Sequence, residues 1–400
     1  MNIIYYYDEP PKSFSKSIFL AGPTPRTSEV KSWRPEALRI LAEKGYDGVV
    51  FVPEVKPGDT EEYDWSKAPQ WEHKMLDMAD IVLFWVPRDM TIMLDNKLRL
   101  PGFTTNVEFG HWVNSGKAVL GHPPRAPHTG YLRFMADKFR APTTLFTLEE
   151  TVNKSMELIG EGVLRTGGER EIPLFLWNTK SFQDWYQSQK RAGNRLDGAK
   201  IYWTFKVGKN KDRVFYWAIH PNIYIASENR NKTNECVISR FDISSVILYK
   251  KQPDILDSEI VLIREFRSPA RNSQGFVWEL PGGSSPDTSD PLKTIVDETF
   301  EEVGLSLDKS RFEPINSRQL AATMSAHHGI LFAVELADEE MEWLKSQKDI
   351  PHGADYPNNP TGEQAYTEVV KLKDILYNNL VDWSNLGMIF SVLSQKGERE

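Results

Sequence analysis

Ile18-Phe19-Leu20-Ala21-Gly22-Pro23-Thr24-Pro25-Arg26 opens with an apolar run, Ile18 to Ala21, that stops abruptly at a glycine and two prolines. An uncharged stretch of this length suits a strand buried on both faces, and Gly-Pro turns the chain at its end. Outward from it, the pattern predicts helices over 33–44, 71–78, 105–116 and 148–159, with strands over 48–53, 81–86 and 117–121. Strand and helix in alternation imply a doubly wound parallel sheet with crossover helices. Ligands of such sheets sit beyond the carboxyl ends of the strands. Gly22, Pro23, Thr24 and Arg26 are therefore expected at a pocket, where Gly22 permits close backbone approach and Thr24 and Arg26 could hold a phosphate or a sugar hydroxyl.

The chain has 400 residues, 40% of them hydrophobic and 26% charged, enough for two or three domains with separate cores. Its net charge of -8 argues against a nucleic-acid polymer or an anionic membrane as partner, because an acidic surface offers neither a counter-charge. Small-molecule chemistry is the better expectation. Cys236 is the lone cysteine, so no intrachain disulfide forms, and a reducing, cytoplasmic setting is expected. The start lacks the basic and apolar regions of a signal peptide. Four glycines in 160–168 suggest a boundary: a first domain over 1–160, a linker over 161–171 and a second domain over 172–400. Beyond the linker come β-rich stretches over 200–207, 213–218, 245–249, 259–266 and 330–336, and a helix over 291–303, an α+β pattern.

That helix carries Glu298, Glu301 and Glu302 at spacing i, i+3 and i+4. Their side chains leave one face and repel one another unless a hard cation, Mg²⁺ or Mn²⁺, lies between them.

Gly282-Gly283 followed by this helix resembles the Nudix box, with Val277-Trp278-Glu279-Leu280-Pro281 and Glu259 to Arg267 similar to Nudix strands. The resemblance implies a C-terminal α+β Nudix fold over 172–400. It also implies Mg²⁺ held by Glu298, Glu301, Glu302 and the Gly282 carbonyl, with a nucleoside diphosphate derivative such as ADP-ribose as ligand. Ser289 and Asp297 stand where the family has Glu and Arg, which removes a positive orienting partner from Glu298. Asp287 or Asp290 could replace the first carboxylate, and Glu363 or Glu368 could supply a late base.

In the first domain, Ile18 to Pro23, Trp71-Glu72-His73, Met78 to Trp85 and Gly102-Phe103-Thr104-Thr105-Asn106-Val107-Glu108-Phe109-Gly110 occur in order. Together they resemble the nucleoside 2-deoxyribosyltransferase superfamily, over about 17–133. The resemblance implies cleavage of an N-glycosidic bond, with Glu108 as nucleophile and Asp80 contacting and protonating the base. A family aspartate falls at Gly102 and is missing, so Asn106 or Asp89 would handle base or sugar. Trp71, Trp85 and Trp112 could each stack on a base or pack in the core. A position where a loop enters a helix would favour ionised Glu108. Relatives form homo-oligomers, so association is expected by resemblance.

The fold expected is thus α/β, a doubly wound (flavodoxin/Rossmann-like) domain followed by the Nudix-like domain. The function expected is glycosyl transfer or hydrolysis on a nucleoside or nucleotide. Two alternatives stay open: a nucleotide sensor in which both domains bind without turnover, and a Nudix pyrophosphatase with a non-catalytic first domain.

Overall fold

The computed structural model describes residues 1–25, 29–59, 64, 66–208, 213–284, 290–353, 362 and 364–394. They form two compact units, 1–238 and 239–400.

In the first unit, β1 (Asn2–Tyr5), β2 (Ser13–Phe14) and β3 (Ser17–Ala21) precede α1 (Arg34–Glu43), β4 (Val49–Val52), α2 (Ala68–Met78) and β5 (Ile81–Trp85). A small hairpin, β6 (Asp89–Ile92) and β7 (Leu98–Leu100), leads into α3 (Phe103–Trp112), β8 (Ala118–Gly121), α4 (Gly130–Phe139) and α5 (Leu148–Ile159). The sheet runs β1-β4-β3-β5-β8 and is parallel throughout. The chain leaves β3 towards β4 on one side, then returns to β5 on the other, so the direction of winding switches between β3 and β5.

Every residue of β3, β4, β5 and β8 is buried, because helices cover both faces. Phe19, Val82 and Phe84 pack with Met75 of α2, Phe109 of α3 and Leu132 of α4. Ile18, Leu20, Val50 and Leu83 pack with Leu38 and Leu41 of α1 and Val152 of α5. The last helix is set by a capping box: the Thr147 hydroxyl accepts the Glu150 N–H at 3.1 Å and the Glu150 carboxylate accepts the Thr147 N–H at 2.9 Å.

The boundary expected over 161–171 does not separate the units. β9 (Arg165–Thr166) pairs with β2, and α6 (Leu174–Trp177) and α7 (Lys180–Arg191) lead to a hairpin of β10 (Arg195–Val207) with β11 (Arg213–Ile225), to which β12 (Arg230–Lys232) adds. Two of the four glycines serve close packing: a Cβ on Gly168 would lie 2.2 Å from the Gly198 nitrogen, and one on Gly162 would lie 2.8 Å from Ser15, while Gly160 and Gly167 take positive φ. The division between units falls within β13 (Val237–Arg240).

The second unit comprises β14 (Ile243–Lys250), β15 (Glu259–Phe266), β16 (Phe276–Glu279), β17 (Gly282–Gly283), α8 (Pro291–Val303), β18 (Glu313–Gln319), β19 (His328–Glu335), α9 (Asp338–Ser346), β20 (Pro351–His352), β21 (Ala365–Lys371), α10 (Leu372–Asn378) and α11 (Trp383–Leu393). Its mixed sheet runs β18-β19-β14-β15-β21-β20, with β14 and β19 parallel. Ile295 of α8 and Met341 and Leu344 of α9 cover one face, and Ile375 of α10 and Ile389 of α11 the other. The ends of α8 follow from sequence: Asp290 accepts the Leu292 N–H, Pro291 opens the first turn, and Gly304 takes φ +73° at the exit. Among the described residues no helix is long and apolar enough to cross a membrane.

Candidate functional site

A cavity of about 270 Å³ opens at the carboxyl end of β3, lined by Ala21, Gly22, Pro23, Thr24, Arg34, Glu72, Thr105 and Glu108 among others. It lies where the winding switches, as ligand sites of open α/β sheets do.

Gly22 sets its floor. With φ +152°, a Cβ there would lie 2.2 Å from the Trp85 carbonyl oxygen, so only glycine lets the ends of β3 and β5 approach this closely. Arg34, at the start of α1 and 1% exposed, fastens the turn. Its Nε donates to the Leu20 carbonyl at 3.0 Å, Nη2 to the Gly22 carbonyl at 2.9 Å and Nη1 to the Thr24 hydroxyl at 3.1 Å. Glu54 balances its charge at 2.6 Å.

Glu108 enters from the middle of α3, half-buried, with Glu72 of α2 lining the same cavity. Burial pushes its carboxyl up to about 7, helped by the charge of Glu72 and opposed by Arg34. The expectation that a helix N-terminus would hold Glu108 ionised is corrected: the residue sits beyond the first turn, where that field has faded, and desolvation dominates. Gly102 precedes α3 with φ +65°, and a Cβ there would lie 2.7 Å from Pro23 Cγ. The conformation and this contact account for glycine where the resemblance implies an aspartate.

Other expected residues lie elsewhere. Asp80 is 3% exposed and precedes β5, at the amino end of the sheet, opposite the cavity. Both its oxygens are engaged by Arg165, and it accepts the Ser17 and Leu174 N–H groups at 2.9 Å. It is not brought to Glu108. The Trp85 indole packs in the core with Trp33 and Leu83, on the opposite face from Phe19 and Ala21, and does not line the cavity. Asn106 is exposed and accepts a hydrogen bond from Arg88, away from the cavity. Asp89 is held by the Thr91 N–H and Arg99. Arg26 falls outside the described residues. Arg34 and Glu72 escaped the sequence reading, although Trp71-Glu72-His73 was among the pieces that carried the resemblance.

In the second unit, Glu302 is buried and accepts the Gly282 N–H at 2.8 Å, while a Cβ on Gly283 would lie 2.0 Å from Glu298 Oε1. These two carboxylates converge on the glycine pair. Glu301 is exposed on the helix. Among the described residues no three Asp, Glu, His or Cys side chains gather as metal ligands. Asp297 is bound by Lys293 at 2.9 Å, Asp290 caps α8, and Glu368 accepts from Arg264 at 2.8 Å and the Trp278 indole at 3.0 Å. Asp287, Ser289 and Glu363 lie outside the described residues.

Residues 15–126 match the family described as nucleoside 2-deoxyribosyltransferase like. This segment, which spans β3 to β8 and holds both Gly22 and Glu108, is a nucleoside 2-deoxyribosyltransferase-like domain. The match ends well before the second unit and lends no support to the Nudix-like reading of 172–400. No curated protein matches the chain.

Proposed function

We propose that the first unit cleaves or transfers at the N-glycosidic bond of a nucleoside or nucleotide, with Glu108 as nucleophile. The observation that carries this reading is a half-buried carboxylate in a cavity at the sheet's switch point, inside the segment that matches the family. Glu108 attacks the anomeric carbon as the bond to the base breaks, giving a glycosyl ester that water or a second base then resolves. Thr24 and Thr105 offer hydroxyls to the sugar, and Arg34 keeps the turn in place. Glu72, and not Asp80, is the group available from the facing helix to protonate the departing base. The test is incubation with deoxynucleosides, nucleoside monophosphates, NAD and ADP-ribose, followed by chromatography for free base. Release by the wild type and none by Glu108→Gln is expected; no release from any of them sinks the reading.

As a second reading, the C-terminal unit takes a nucleoside diphosphate derivative with Mg²⁺, supported by the convergence of Glu298 and Glu302 on Gly282 and Gly283. The described ligand set is incomplete for a cation, so no hydrolytic step is assigned to it. Homo-oligomer formation belongs to the same proposal, supported by Phe103 and Val107 of α3 and Tyr131 and Phe134 of α4, each more than half exposed.

A further inference from the structure

Just past β5 the chain passes Pro87 into Arg88, which is only 6% exposed. Its Nη1 donates to the His128 carbonyl at 2.7 Å and its Nη2 to the Asn106 side-chain oxygen. The Nε–H is buried and has no acceptor, and no carboxylate among the described residues pairs with the guanidinium. The other fully buried arginines of this unit are matched, Arg34 by Glu54 and Arg165 by Asp80. A buried cation without a counter-charge is costly, and native folds seldom keep one that does nothing.

Arg88 lines an open recess of about 650 Å³ with Thr91, Arg125 and the stiff Pro123–Pro127 segment. Asp89 lines it too, but its carboxylate is already bound to the Thr91 N–H at 2.9 Å and to Arg99 at 3.6 Å. No residue lines both this recess and the Glu108 cavity.

We propose that Arg88 and Arg125 form a second binding site for a small phosphate-bearing anion, separate from the Glu108 cavity. The anion supplies the missing counter-charge. A guanidinium with an idle Nε–H suits the tetrahedral oxygens of phosphate, and Arg125 adds charge from the exposed rim. The breadth of the recess leaves room for an ester group to extend into solvent. This inference does not depend on Glu108 being a nucleophile.

The test is titration of the full chain with sodium phosphate, a nucleoside monophosphate and citrate at constant ionic strength, following heat of binding and Tm. Saturable phosphate binding is expected, weakened at least tenfold in Arg88→Gln, several-fold in Arg125→Gln, and unchanged in Glu108→Gln. If Arg88→Gln does not fold, Arg88→Lys and the exposed Arg125→Gln decide. Tighter binding of the monophosphate that is kept in Glu108→Gln and weakened in the arginine variants identifies a phosphate ester as the ligand; equal binding identifies the free ion. No saturable binding, binding of citrate alone, or equal binding in wild type and both arginine variants overturns the proposal.

Discussion

Asp80 and Arg165 form a fully buried, two-pronged ion pair, with Nη1 to Oδ1 at 2.8 Å and Nη2 to Oδ2 at 2.6 Å. Arg165→Ala leaves the carboxylate buried without its cation and is expected to cost about 3–5 kcal/mol. Denaturant unfolding measures this. Asp80→Asn separates support from catalysis: the fraction that folds is expected to keep its rate of base release, and a folded but inactive variant would return Asp80 to the reacting centre.

Glu108 titrates near 7 in the folded state, above an ordinary glutamate, because burial and Glu72 disfavour its charge. Attack needs the carboxylate, so the rate of base release is expected to climb as pH rises through about 7. Stability runs the other way. Between the ordinary value and about 7 the folded state holds a proton that the unfolded chain has lost, so stability falls across that window, by up to about 3 kcal/mol. Tm against pH is expected to flatten there in Glu108→Gln.

Gly22→Ala is expected to lower stability by about 2 kcal/mol or more and to abolish ligand binding at the cavity. Its Cβ meets the Trp85 carbonyl and Trp33 in a strained backbone region. Thermal unfolding and nucleoside titration read the two effects.

Glu302→Leu strips the Gly282 N–H of its acceptor and is expected to cost about 1–3 kcal/mol. EDTA is expected to leave base release unchanged, since no metal enters the chemistry proposed for Glu108. Mg²⁺-dependent release of phosphate-bearing products, lost in Glu302→Gln, is the result expected if the second reading holds.

Val107→Glu places a charge in the exposed apolar strip of α3. Light scattering coupled to size exclusion is expected to show a smaller assembly than the wild type; an unchanged monomer would remove oligomer formation from the proposal.

The central strands were legible because apolar runs bounded by Gly and Pro admit few other structures, and Leu148–Ile159 and Pro291–Val303 because their caps stand in the sequence. Edge strand β1 was missed: Asn2–Tyr5 is short and only partly buried. Asp80 was misplaced although its position was readable, since a residue just before a parallel strand lies at the amino end, away from ligands. Arg34 carried no local signal; its importance comes from carbonyls at Leu20 and Gly22, which no side-chain pattern reveals. The glycines of 160–168 suggest a domain boundary, whereas Gly162 and Gly168 admit neighbouring chain.

The antiparallel pairing of β2 with β9 joins Ser13 and Phe14, just ahead of the family segment, to Thr166 and Arg165, some forty residues after its end at 126. What is shared across a family and what folds as one body therefore differ here. A protein carrying residues like 15–126 without the strand that follows must place another cation beneath β5, or surrender the aspartate at its foot.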